Sequence, residues 1–168
     1  MSLDQGPSDP PRRRLDCATL FTDRHGAVVI VRHPHHDAYT LPTGTADAEE
    51  EPHRAAMRGV RTTLGLDLSV GRLLVVDYVP FRRDTAQPGR MLYVFDGGVL
   101  ADEHIALIKR GQTFALVHLG DLAPFADAGD VRRIRAAAAA VSTKQTVYLV
   151  GGHPPAPRSG AHPLAASR

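Results

Sequence analysis

A single cysteine, Cys17, is all the thiol chemistry available to this chain of 168 residues. No intramolecular disulfide can form, and no cysteine-based zinc site has a ligand set. Within Cys17-Ala18-Thr19-Leu20-Phe21 the thiol reads as a small buried hydrophobe. Long apolar runs are also missing: none approaches the ~18 residues of a membrane-spanning helix, and the N-terminus lacks the apolar core of a signal peptide. A cytoplasmic protein is the expectation. A strong excess of one charge is absent too. The formal net charge of +2 gives no general electrostatic case for nucleic acid, and Arg12-Arg13-Arg14 reads as part of a solvated tail.

What is present suits one soluble globular domain: hydrophobic residues make up 43% and charged residues 23%, enough to build a core and a solvated surface. Residues 1–14, rich in Pro, Ser, Asp and Arg, are expected to be a disordered tail. Residues 15–152 form the domain. Residues 153–168, with four prolines and no apolar periodicity, are expected to be a second tail. No internal repeat is found.

Two β runs, Cys17 to Thr22 and Ala27 to Arg32, flank Asp23-Arg24-His25-Gly26, where Gly26 supplies the turn. Pro34 bars regular structure from the His33 to Asp37 loop, and Tyr39-Thr40-Leu41 returns as a short strand. A turn at Gly44 follows. Pro52 suits the first turn of a helix in which Ala56, Val60 and Leu64 recur as a buried stripe and Gly65 is the stop. Leu73 to Val79 and Met91 to Phe95 predict strands, with Asp84 to Gly89 as their loop, and Ile105 to Ile108 and Thr113 to Leu119 predict shorter ones. Asp130 is placed as the cap of an alanine-rich helix through Val141, and Thr146 to Val150 as a last strand.

Leu41 to Leu66 reads LPTGTADAEEEPHRAAMRGVRTTLGL. Gly44, Glu50, Arg58, Val60, Gly65 and Leu66 fall, without a gap, on the pattern G-x5-E-x7-R-E-U-x-E-E-x-G-U, with U an aliphatic residue. The stretch resembles the Nudix box. The resemblance implies an α/β fold, the Nudix α/β/α sandwich with a mixed β-sheet between helices, over Cys17 to Gly152. It also implies hydrolysis of a nucleoside diphosphate linked to another group, with water attacking phosphorus and a divalent metal, Mg2+ or Mn2+, handling the developing charge. The ending Thr146 to Gly152 looks like that of actinobacterial members, and the excess of arginine over lysine fits a GC-rich genome.

By the same resemblance, Glu50 and Arg58 pair to hold loop against helix, while Gly44 and Gly65 shape the turn and the core. The family's three metal-binding helix glutamates are replaced by Gly59, Thr62 and Thr63, spaced i, i+3, i+4 on one helix face. Neutral hydroxyls are poor substitutes for anionic oxygen ligands. Gly59 costs about 1 kcal/mol relative to alanine in a helix interior; either a ligand needs the space there or the position has drifted, and drift is the favoured explanation. Many members carry a later carboxylate as well; Ile108 to Thr113 contains no acid, and Asp102 and Glu103 are the nearest.

Substitute groups are available. Asp47, Glu49 and Glu51 precede the helix as candidate metal ligands, or simply as acids favoured by the helix dipole. His33, His35 and His36 are candidate ligand contacts, able to bind a transition metal or a phosphate, with a solvated loop as the plainer reading. Arg82 and Arg90 are candidate phosphate contacts. The expectation is a protein with a degenerate box, a pseudoenzyme binding a nucleotide or other small phosphorylated ligand with little or no hydrolysis. The alternative is an active metal-dependent pyrophosphohydrolase with non-standard ligands.

Overall fold

In the computed structural model, which describes residues 13–32, 37–81, 88–108 and 114–157, the longest pairing is parallel. It joins β1 (Arg14–Thr22) to β6 (Arg90–Val99), from Arg14 opposite Arg90 to Thr22 opposite Val99. Around this pair lie β2 (Val28–Arg32), β3 (Tyr39–Thr40), β5 (Leu73–Val79) and β8 (Val147–Val150), in the order β3-β2-β1-β6-β5-β8. The short strands β4 (Thr43–Thr45) and β7 (Phe114–Val117) pair with β1 and β2. β5 and β8 are also parallel and the remaining pairs antiparallel, so the sheet is mixed.

Strand alternation divides the core into two layers. Ala18, Leu20, Leu92 and Val94 face helix α3 (Ala128–Thr143), joining Val131, Ile134, Ala137 and Ala140. Cys17, Phe21, Val29 and Val31 face the other way, toward helix α1 (Pro52–Leu64) and helix α2 (Asp102–Ile108). The alanine run therefore has a packing use: Ala137 and Ala140 are fully buried against the sheet. Cys17 is fully buried, and burial first, then neighbouring Asp16, pushes its thiol up to about 12, which keeps it from ionising. No helix among the described residues is long and apolar enough to cross a membrane.

Four expectations change. Ile105 to Ile108 is the end of α2, because Ile105 and Ile108 are buried three residues apart while Leu107 is exposed, a helical and not an alternating pattern. The N-cap of α3 is Asp127, whose carboxylate accepts from the Asp130 N–H; Asp130 stands three residues inside. Gly44 is a strand residue of β4, paired with Cys17, and not a turn. β1 begins at Arg14, inside the stretch assigned to the tail, and Arg13 lies over the Tyr78 ring. Residues 1–12 and 158–168 of the expected tails lie outside the described residues.

One buried ion pair ties α3 to the sheet. Arg133 Nε donates to Asp77 Oδ2 at 2.5 Å, and its Nη1 donates to Asp130 Oδ1 at 2.8 Å. Asp77, fully buried on β5, also accepts from the Gly152 N–H and so fixes the turn after β8. Arg133→Ala leaves the Asp77 carboxylate buried beside a cavity with no counter-charge. It is expected to cost about 3–5 kcal/mol, read by urea unfolding; a loss below 1 kcal/mol would show that water reaches and solvates Asp77.

Candidate functional site

Helix α1 starts at Pro52, which needs no hydrogen-bond partner in the first turn, and ends at Gly65 with φ of 70° and its N–H on Arg61 O. Its buried side carries Ala55, Ala56, Val60 and Leu64. Gly59 is buried too, and the reason lies in β4. A Cβ on Gly59 would overlap Gly44 N and lie 2.6 Å from Thr43 C and 3.0 Å from Gly44 Cα. A Cβ on Gly44 would in turn overlap Ala55 O and lie 3.2 Å from Gly59 Cα. Strand and helix touch backbone to backbone, and each glycine is required by the other. Gly59 therefore has a packing role: the absence of a side chain lets the helix seat on the strand.

The same seat is locked by charge. Arg58 Nε and Nη2 donate to Glu50 Oε1 and Oε2 at 2.9 and 2.6 Å, a two-pronged pairing, and Nη2 also donates to Thr45 O at 2.7 Å. Glu50 Oε2 accepts from the Asp47 N–H as well. The hydrogen bonds from Arg58 first, and that from Asp47, hold the Glu50 carboxyl down at about 2. Thr62 and Thr63 spend their hydroxyl protons on Arg58 O and Gly59 O one turn back.

On the opposite face of the sheet a cavity of about 390 Å³ opens between β1, β6, β3 and the first turns of α3. Ala18, Leu92, Val94, Leu41 and Ile134 give it apolar surface. Its charged groups fall in two sets. Asp16, only 3% exposed, accepts through Oδ1 from Arg14 Nε at 2.6 Å and Thr45 Oγ1 at 2.8 Å, and its Oδ2 lies 3.4 Å from Arg90 Nε. Asp127, Asp130 and Arg133 form the second set, where burial first, then Asp127, raises the Asp130 carboxyl above its ordinary range. The Thr40 hydroxyl bonds to the same carboxylate.

The sequence candidates scatter. Arg90 lines the cavity, while Asp47, Glu49 and Glu51 stand exposed ahead of α1. His33, His35, His36 and Arg82 lie outside the described residues. Asp102, exposed on α2, is paired with Arg24. Arg14, Asp16, Asp127 and Arg133 were missed. An acid between Leu15 and Cys17 in a strand was the available signal, since a carboxylate inside a strand needs partners.

A family model, the NUDIX domain, matches residues 11–144. The chain belongs to the Nudix family. Among solved structures, a UDP-X diphosphatase matches with a TM-score of 0.64 at 17% identity, over 86% of this chain and 70% of that one. An ADP-ribose pyrophosphatase from Streptococcus suis matches with a TM-score of 0.56 at 14% identity, over 83% and 99%. Shewanella oneidensis NrtR matches with a TM-score of 0.63 at 15% identity, over 79% and 65%. At these identities the likeness is one of fold. No curated protein matches the sequence.

Nudix hydrolases generally use divalent metals such as Mg2+ or Mn2+. The residues of this box do not fit such an ion. Position 59 has no side chain and no room for one, and Thr62 and Thr63 are neutral and turned back on the helix. Among the described residues, no three His, Cys, Asp or Glu side chains converge as a metal-binding group.

Two outcomes follow. Gly59→Ala gains about 1 kcal/mol of helix propensity but forces α1 and β4 apart, which costs more, so a net loss of about 1–2 kcal/mol is expected in chemical denaturation; a stabilised variant would refute the close approach. The lowered Glu50 carboxyl gives stability that is present above its ordinary value of 4.5 and lost as pH falls through about 2. Acid unfolding followed by circular dichroism should therefore show less loss across that window in Glu50→Gln than in the native chain.

Proposed function

We propose that this Nudix-family chain binds a nucleotide or other phosphate-bearing small ligand, within the cytoplasm, and hydrolyses it slowly or not at all. The observation that carries the reading is the seam between Gly44 and Gly59, where the backbone of β4 fills the space that a carboxylate on the helix would need. Thr62 and Thr63 add no charge to that face. Without an anchored divalent ion, the acidic stretch Asp47 to Glu51 repels a diphosphate, and the means of handling charge on the leaving group is lost.

What remains is a scaffold and a cavity. The 390 Å³ space has apolar walls with a few converging charged groups, the make-up of a small-molecule site. Arg14 and Arg90 supply guanidinium groups suited to phosphate oxygens.

Nucleoside triphosphates, nucleotide sugars and dinucleoside polyphosphates, offered with Mg2+ or Mn2+, should show at most trace turnover by phosphate release and chromatography. The same compounds should raise the melting temperature in the presence of a chelator. Turnover on the order of 1–1,000 per second would overturn the reading in favour of an active pyrophosphohydrolase with ligands of another kind.

A further inference from the structure

The two charged sets of the cavity differ in sign. Arg14 and Arg90 set two guanidinium groups against the single carboxylate of Asp16. Arg90 Nε is buried and lacks a hydrogen-bond partner among the described residues. At the α3 end, Asp127, Asp130 and the underlying Asp77 set three carboxylates against Arg133 alone. Arg133 is spent on Asp77 and Asp130, so it has no charge to offer an incoming anion. Between the two ends the sheet contributes a flat apolar floor: Ala18 is paired with Val94, and Leu92 lies opposite Asp16.

Such a cavity has an anion-seeking end, a donor-seeking end and a floor for a planar ring. The anion-seeking end adjoins the box, because Thr45, which binds Asp16 through its hydroxyl, gives its carbonyl to Arg58. Resting on the reading of this cavity as a nucleotide site, we propose that it selects nucleotides whose base carries an exocyclic amino group. The amine donates to the carboxylates of Asp127 and Asp130, and the phosphate meets Arg14 and Arg90. An ionised carboxylate only accepts hydrogen bonds. A base with hydrogen in place of the amine gives these carboxylates no donor at that position and forfeits a charge-assisted hydrogen bond.

Two pairs of nucleotides isolate that one group, each replacing the amine by hydrogen: AMP against purine riboside 5′-monophosphate, and CMP against 2-pyrimidinone riboside 5′-monophosphate. Calorimetry on the full chain, with chelator and at a pH well above the carboxylate range, should find the amino member of each pair bound roughly tenfold more tightly. Asp130→Asn, which offers a donor as well as an acceptor, should shrink that ratio. Arg90→Ala should weaken AMP but leave adenosine unchanged. Equal affinity within both pairs for the native chain would overturn the amine preference and leave the nucleotide reading intact. Absence of saturable binding by all four would overturn both. The comparison within pairs uses the native chain, so the test survives if Asp130→Asn, which loses the Arg133 contact, fails to fold.

Discussion

Gly44 and Gly59 meet without side chains between them, and the position of α1 on the sheet follows from that contact. Close-packed interiors do not tolerate an inserted methyl where two backbones already touch. With the helix seated there, Ala55, Ala56, Val60 and Leu64 reach the layer of Cys17 and Phe21, and Arg58 is brought over both Glu50 and the carbonyl of Thr45. The arginine fork then closes the loop that β4 opens. One steric requirement thus fixes a helix, a loop and the charge pairing between them. It also leaves position 59 without room for a side chain.

A single lateral row runs across the α3 face of the sheet. Thr45 pairs with Asp16, Asp16 with Leu92, and Leu92 with Asp77, across β4, β1, β6 and β5. Both carboxylates in the row are buried, and each is compensated: Asp16 by Arg14 and Thr45, Asp77 by Arg133 and the Gly152 N–H. Buried charges in low dielectric hold only when paired and hydrogen-bonded, and their partners are then fixed in place. This is how the sheet carries a polar cavity beside an apolar core. The box stretch lines that cavity through Leu41 and Thr43 and reaches Asp16 through the Thr45 hydroxyl, not through its helix.

The fold was legible from spacing. Six residues at fixed intervals placed the helix, and apolar, β-branched runs bounded by turn residues placed β1, β2, β5 and β6, because strands and a striped helix leave those marks in the chain. The site was less so. Arg133 and Asp77 lie 56 positions apart and meet only after α3 packs on β5, which no local pattern records. Arg14 sat among prolines and arginines that looked solvated, yet it is the first residue of a nine-residue strand. Gly59 was visible as a departure, but its cause needed β4 in place. Ile105 to Ile108 misled because a four-residue apolar run suits either period.

The proposed function rests on the reading that α1 does not serve as a metal platform. Titration of the native chain with Mn2+, followed by the electron paramagnetic resonance of the free ion, tests this directly. The free-ion signal should rise in proportion to the manganese added, as it does in buffer alone. Saturable depletion of that signal, abolished by replacing Asp47, Glu49 and Glu51 together, would contradict the account and return this chain to the metal-dependent members of its family.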